Sequence, residues 1–127
     1  MHVAATWIAT MSLFGNMVPK SESADRLLTR IPIEFQGRWL SSSDQCKFGY
    51  EGWLYISDVQ IQEAEGAGFV VSVRRIATLE IEIDMTWRPT TKGRGDWRKV
   101  DRFVLSRDGR NLIETRDGKA VSRVRCE

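Results

Sequence analysis

Carboxylates at alternate positions are the first residues of this chain that could do chemistry. Glu80, Glu82 and Asp84 stand two residues apart, a spacing that could serve general acid–base catalysis or the binding of calcium. In a β-strand, however, the same spacing places side chains on one face of the sheet. The pattern puts none of them in an apolar pocket that would raise its pKa. We therefore interpret this row, and likewise Glu63 and Glu65, as solvent-exposed strand positions.

Histidine and cysteine chemistry is limited by composition. The only histidine of the 127-residue chain is His2, and its two cysteines, Cys46 and Cys126, form no CxxC motif. This set lacks the Ser–His or Cys–His pair of nucleophilic catalysis and the ligands of a zinc site. We therefore predict no catalytic residue, no metal site, no cofactor and no enzymatic activity. A hydrolase that depends on a carboxylate is the least favoured alternative.

Aromatic side chains are the candidates for ligand binding. Trp87 and Trp97 flank a turn-forming segment at 88–96, and Trp53 and Tyr55 share an earlier predicted strand. If the strands close into a barrel, the flanking tryptophans lie near one mouth, where aromatic rings suit an apolar or aromatic ligand. We therefore predict that these four residues bind ligand. The alternative is that the rings fill a barrel too narrow to hold anything.

The 88–96 segment is also a candidate surface for an anionic partner. Arg88, Lys92, Arg94 and Arg98 lie in it or beside it, and a one-sided basic patch can steer an acidic protein or a cell-envelope polymer. Solubilising charge is the alternative. The chain has a net charge of only +2, which argues against general nucleic-acid binding, so we predict no nucleic-acid partner.

Period-two alternation predicts seven or eight short strands in sequential order. The clearest runs from Leu79 to Trp87, where apolar residues alternate with acidic residues and threonine, as in an antiparallel strand with one buried face. Asp108-Gly109 and Asp117-Gly118 are typical of hairpin turns. The other predicted elements are strands at 34–40, 52–57, 59–62, 69–76, 97–106, 112–115 and 120–126, and a short helical turn at 25–30. In the strand at 69–76, alternation puts Phe69, Val71 and Val73 on one face. Such a meander can remove its edges by closing, which predicts an all-β, up-and-down antiparallel barrel.

The N-terminal segment differs in composition from the rest. Residues 3–18 are mostly apolar and carry no charge, and 19–24 add proline, polar and small residues. This is the outline of a secretory signal peptide cleaved after Ala24; an N-terminal helix or an uncleaved anchor is the alternative. We predict a signal peptide over 1–24 and a single domain over 25–127, in a periplasmic or secreted protein with no stable membrane insertion after cleavage.

Export would allow the two cysteines to form a disulfide. In an oxidising compartment Cys46 and Cys126 are predicted to form a disulfide that closes a loop of about 80 residues and stabilises a small barrel. Two unrelated buried thiols are the alternative.

The stretch Phe35-Gln36-Gly37-Arg38-Trp39 resembles the first strand of the lipocalin and avidin β-barrels. In those families the Gly-x-Trp lies at the closed end of the barrel, and an arginine of the last strand packs over the tryptophan. The resemblance therefore implies structural roles for Gly37 and Trp39, with Arg123 or Arg125 over the Trp39 ring through a cation–π contact.

Two groups of smaller barrels are also similar to this chain. Bacterial periplasmic metalloprotease inhibitors share the opening strand and the cysteine that follows it, but place their second cysteine in mid-chain. Small exported bacterial proteins of unknown function share the opening, an Asp-Gly turn before a late leucine, and an Arg-x-Arg-Cys end, and they imply no activity. We therefore expect a non-enzymatic exported barrel that binds a small apolar ligand at its mouth. The alternative is an inhibitor or envelope interaction protein that binds a partner through 88–96.

Overall fold

The computed structural model describes residues 27–48 and 53–126. The predicted signal peptide at 1–24 lies outside the described residues. The strands are β1 (Leu27–Leu28), β2 (Gly37–Leu40), β3 (Leu54–Ile56), β4 (Gln60–Glu63), β5 (Gly66–Ala77), β6 (Glu80–Pro89), β7 (Trp97–Leu105), β8 (Asn111–Arg116) and β9 (Lys119–Cys126). A 3₁₀ turn (Ile33–Phe35) and a short helix α1 (Gln45–Phe48) precede and follow β2. No helix within these residues is long and apolar enough to cross a membrane.

Strands β2 to β9 form a closed barrel. They follow one another around the sheet in chain order, all pairs are antiparallel, and β9 pairs with β2 to complete a ring of eight. Strand β1 adds two residues beside the far part of β5, where Leu27 pairs with Arg74. The prediction of an all-β, up-and-down antiparallel barrel is confirmed.

The predicted disulfide is also confirmed. Cys46 of α1 bonds Cys126 of β9, with their Cα atoms 5.5 Å apart. Cys126 itself pairs with Arg38 of β2, so the covalent link reinforces the seam at which the barrel closes.

One end of the barrel is closed by Trp39 and Arg125. The Arg125 guanidinium lies 4.3 Å from the centroid of the fully buried Trp39 ring and donates hydrogen bonds to the carbonyls of Glu34, Gln36 and Gly109. Gly37 has φ +131° and a Cβ there would lie 2.9 Å from Arg125 Nη1, so both its backbone conformation and the arginine favour glycine. Of the two arginines that the resemblance offered, Arg125 covers the tryptophan. We call this the closed end.

Three predicted elements differ in the structure. Leu27–Leu28 is a strand rather than part of a helical turn, because its backbone pairs with β5. The first barrel strand begins at Gly37, since Phe35 belongs to the 3₁₀ turn that follows Pro32. The strand predicted at 69–76 extends over Gly66–Ala77.

The prediction that Phe69, Val71 and Val73 share one face is wrong. The pairing of β5 with β6 shifts register between Val70 and Ser72, and such a bulge inserts one residue and exchanges the two faces of the strand beyond it. Val73 is therefore buried, whereas Phe69 and Val71 are 37% and 45% exposed.

The outer face of β6 carries the acidic row. Glu80, Glu82 and Asp84 form ion pairs with arginines of the neighbouring strands β5 and β7. On its other face, β6 contributes Ile81, Ile83, Met85 and Trp87 to the core. The alternation predicted for this strand thus separates a charged outer surface from an apolar interior.

Candidate functional site

The barrel interior becomes polar away from the closed end. Along β7 the inward positions run from Leu105 and Phe103, which are buried and apolar, to Asp101, which is 1% exposed. Along β8 they run from Leu112 to Glu114, which is 2% exposed. Two carboxylic acids therefore lie inside the barrel, where an unpaired charge would be strongly destabilising.

Arginines compensate these buried acids. Arg116 of β8 forms ion pairs with Glu63, Asp101 and Glu114, so one guanidinium connects carboxylates from three strands. Arg123 of β9, which is 8% exposed, pairs with Glu114. We call these five residues the inner charge cluster.

The cluster holds two carboxyl groups in different protonation states. Burial raises the pKa of Asp101 to about 7, and its hydrogen bond with Glu114 adds to the rise, while the charge of Arg116 opposes it. Burial also opposes ionisation of Glu114, but the hydrogen bond from Asp101 and the charges of Arg116 and Arg123 outweigh it, so the pKa of Glu114 is lowered. Glu114 is therefore the ionised partner, and Asp101 carries the proton near and below neutral pH.

A lysine and a tryptophan adjoin the cluster. The Lys99 ammonium lies 3.8 Å from the centroid of the Trp87 ring, and burial lowers the pKa of Lys99 although the charge of Asp101 opposes this. Trp87 is only 4% exposed and packs against β5, where a Cβ at Gly66 would lie 2.7 Å from its ring. Trp87 therefore fills the barrel and supports the cluster from the apolar side.

A cleft of about 590 Å³ opens at this end of the barrel, which we call the mouth. Its lining is mostly charged and includes one large aromatic ring, that of Trp97, which is 41% exposed. The Asp101 Oδ1 and Arg116 Nε atoms are buried and make no hydrogen bond within the described part of the chain. The cleft is lined by Glu65, Trp97, Arg98, Lys99, Val100, Asp101, Arg116 and Asp117.

The four aromatic residues predicted to bind ligand do not form one site. Trp87 and Trp97, which flank segment 88–96, are paired across β6 and β7 at the mouth, as predicted. Only Trp97 is accessible. Trp53 and Tyr55 line a separate cleft of about 260 Å³ on the outside of the barrel, together with Arg38 and Gln62. The inward phase of β3 belongs to Leu54 and Ile56, which are buried, and so Tyr55 points outward.

The four basic residues predicted to bind a partner also lie in different environments. Arg88 pairs with Asp96 and lies over the Phe69 ring. Arg98 pairs with Asp84 on the outer face of the barrel. Arg94 lies 5.5 Å from the centroid of the Trp97 ring, which places it beside the mouth, and Lys92 is exposed on the turn between β6 and β7.

The interpretation of Glu63 as a solvent-exposed residue is wrong. Its side chain is 13% exposed and bonds Arg116, because Ile61 occupies the inward phase of β4 and Glu63 follows two residues later. Sequence reasoning also missed Asp101, Glu114 and Arg116. Their signal was present: each stands an even number of residues from a buried apolar residue of its own strand, and so shares the inward face.

Comparisons with known proteins identify no relative of this chain. The chain matches no protein-family model, no curated protein and no solved structure. Among residues 27–48 and 53–126, no group of three or more His, Cys, Asp or Glu side chains is arranged so that it could hold a metal ion. Support for a functional site therefore comes from the geometry alone, which is a mouth cleft with one exposed indole above the inner charge cluster.

The raised pKa of Asp101 predicts a pH dependence of stability. The folded protein binds the Asp101 proton more tightly than the unfolded chain does, so the stability from this group is complete below its ordinary pKa of 3.8 and is lost as the pH rises through about 7. Asp101→Asn keeps a donor toward Glu114 and cannot ionise. We expect the free energy of unfolding of wild type to fall relative to Asp101→Asn between about pH 5 and about pH 8.

Urea unfolding of both proteins across this range measures the difference. Glu63, Glu114, Lys99 and Arg116, which face Asp101, are present in both proteins and so cancel in the comparison. Parallel pH profiles for the two proteins would show that Asp101 is ionised throughout.

Proposed function

We propose that this protein is a non-enzymatic binding protein of an oxidising, extracytoplasmic compartment and that its ligand site is the mouth cleft. The observation that carries the proposal is the exposed ring of Trp97 in a cleft of about 590 Å³ whose lining also includes the partly exposed side chain of Arg116. An accessible aromatic ring beside polar side chains in a cleft of this size is typical of a ligand site. The Cys46–Cys126 disulfide supports the compartment, and a lipocalin-like ancestry fits the barrel.

The charged lining refines the expected ligand. A purely apolar molecule would remove water from the charged side chains of the lining, such as Lys99 and Arg116, without replacing its hydrogen bonds, and desolvation of such groups is unfavourable. We therefore propose a small ligand with one apolar face, which packs on Trp97, and polar groups that reach the floor of the cleft.

Binding is favoured over catalysis by the state of the carboxylates. Glu63 and Glu114 are each held by an arginine, and Asp101 shares its hydrogen bond with Glu114. Groups fixed in this way position one another, and they do not form a pair that could face a substrate from two sides.

Recognition of a protein partner through segment 88–96 is the second candidate. Arg88 and Arg98 are engaged in ion pairs with Asp96 and Asp84, so this proposal depends on Lys92 and Arg94. The position of Arg94 over the exposed Trp97 ring favours it, because arginine and tryptophan are enriched among the residues that dominate interface energies.

Native mass spectrometry of the protein recovered from the cells that make it separates these functions. We expect wild type and Trp53→Ala to carry an added mass of a few hundred daltons and Trp97→Ala to lose it; the Trp53 variant is the matched control because that ring lines the outer cleft. Loss of the mass in Trp53→Ala alone would move the site to the outer cleft. A protein adduct abolished by Lys92→Glu/Arg94→Glu would establish the second candidate instead, and a bare wild-type monomer would contradict both.

A further inference from the structure

We infer that the ligand of the mouth cleft is a saccharide, with a pyranose ring against Trp97 and hydroxyl groups bonded to Arg116 and to the exposed acidic side chains of Glu65 and Asp117. The inference rests on the proposed function and specifies the chemistry of the same site. It follows from the combination of one exposed indole, a lining that offers both hydrogen-bond donors and acceptors, and a balance of charge around the cleft.

The exposed ring selects a ligand with a flat apolar face. Trp97 is 41% exposed at the rim of the cleft, and Arg94 covers it on one side. An indole offers a large, rigid contact area with a negatively polarised face. The C–H groups on one side of a pyranose form a flat, slightly positive surface that complements such a face, whereas the hydroxyl groups point outward around the ring.

The lining of the cleft selects hydroxyl groups. Arg116, whose side chain is 30% exposed, can only donate hydrogen bonds, whereas the carboxylate oxygens of the exposed Glu65 and Asp117 accept them. A hydroxyl group both donates and accepts, so adjacent hydroxyls of one sugar ring can bond side chains of both kinds.

The charges around the cleft argue against a strongly charged ligand. Two acidic residues (Glu65 and Asp117) and two basic ones (Lys99 and Arg116) line it, besides Asp101, which carries the proton near and below neutral pH, and Arg98, whose guanidinium pairs with Asp84 on the outer face. A phosphate or carboxylate would meet the acids, and an ammonium group would meet the bases, so neither sign is favoured. Mixed donors and acceptors suit a neutral molecule with many hydroxyl groups.

The space available fits more than one sugar ring. The mouth cleft of about 590 Å³ lies within the usual range for small-molecule sites. A second recess of about 240 Å³ shares Arg116 and Asp117 with it and continues along β8 and β9 past Lys119 and Val121. A disaccharide or the end of a longer glycan can therefore extend from one recess into the other.

A glycan array of neutral, amino and uronic-acid pyranosides tests the inference. The purified full chain is applied as wild type, Trp97→Ala, Trp97→Phe and the control Trp53→Ala, and the dissociation constant for each glycan that binds is measured by calorimetry. We expect at least one neutral pyranoside to bind, with affinity reduced about tenfold or more in Trp97→Ala, partly restored in Trp97→Phe and unchanged in Trp53→Ala. Unfolding curves of the four proteins verify that the variants are folded.

The other outcomes are distinguishable from one another. If no glycan binds but the protein from its own cells carries a non-saccharide mass that Trp97→Ala loses, the saccharide inference is wrong and the binding function stands. If neither glycan nor added mass is found, both fail. Binding confined to uronic-acid glycans, sensitive to salt and unaffected by Trp97→Ala, would indicate charge recognition by Lys92 and Arg94 and would overturn the inference.

Discussion

Replacement of both bonded cysteines, Cys46→Ser/Cys126→Ser, is expected to lower the free energy of unfolding by about 4–5 kcal/mol, provided that loop-closure entropy dominates. The bond closes a loop that spans 80 residues, and without it the unfolded chain gains conformational freedom. Small domains are stable by only about 5–15 kcal/mol in total, so the loss would leave a marginal barrel. Urea unfolding of wild type and variant under the same conditions measures it.

Two controls make this result specific to the disulfide. Wild type unfolded in the presence of a reductant should match the double variant, because both lack the cross-link while only one carries serine. Thiol titration of unreduced, denatured wild type should find no free thiol within the described residues, since Cys46 and Cys126 are bonded. Two titratable thiols, or unfolding midpoints that coincide for wild type and variant, would contradict the prediction.

Alternation of apolar and polar residues was sufficient to predict the barrel. Strand β6 shows why. Its apolar residues Ile81, Ile83 and Met85 face the core, and the acidic residues between them face water. The alternation in the sequence therefore identifies the buried face. Chain order then determines neighbours, because short turns such as Asp117-Gly118, with φ values of 51° and 77°, join adjacent antiparallel strands. Alternation does not predict the bulge at Val71, because the position at which a residue is inserted depends on how β5 pairs with its neighbouring strands on both sides.

The candidate site was only partly predictable because it is made by barrel closure. Alternation assigns Asp101 and Glu114 to inward faces, but it does not tell how deeply they lie or which cations reach them. Glu63 and Arg116 are 53 residues apart and meet only because β4 and β8 face each other across the interior. The proximity of Trp87 and Trp97 was predictable, since they flank one hairpin; that Trp53 and Tyr55 would face a different cleft depended on the phase of β3, which three residues are too few to establish.

Arg123→Met is expected to destabilise the barrel by about 3–5 kcal/mol, the usual effect of removing one partner of a buried ion pair. Arg123 is 8% exposed and Glu114 is 2% exposed. Within the described residues Glu114 forms ion pairs with Arg116 and Arg123, so loss of the Arg123 guanidinium leaves the buried carboxylate with Arg116 alone. An outer-face control is Arg74→Met, whose partner Glu82 also contacts Arg102; exposed pairs of this kind contribute only about 0–1 kcal/mol.

A double variant distinguishes the ion pair from simple loss of packing. Glu114→Gln/Arg123→Met removes the buried charge together with its partner, so we expect it to be less destabilised than the sum of the two single variants. Additive effects would mean that Arg123 stabilises the fold through its aliphatic stem alone.

Unfolding at low pH gives a second test of the Arg123–Glu114 pair. The charge of Arg123 contributes to the lowered pKa of Glu114, so the stability from Glu114 is present above its ordinary pKa of 4.5 and is lost as the pH falls through its lowered folded-state value. Without Arg123 that folded-state pKa rises, and acid unfolding of Arg123→Met should begin at a higher pH than in wild type or Arg74→Met. An unchanged acid midpoint would show that Arg116 alone keeps Glu114 ionised, and that Arg123 has no part in setting the charge of the cluster beneath the mouth.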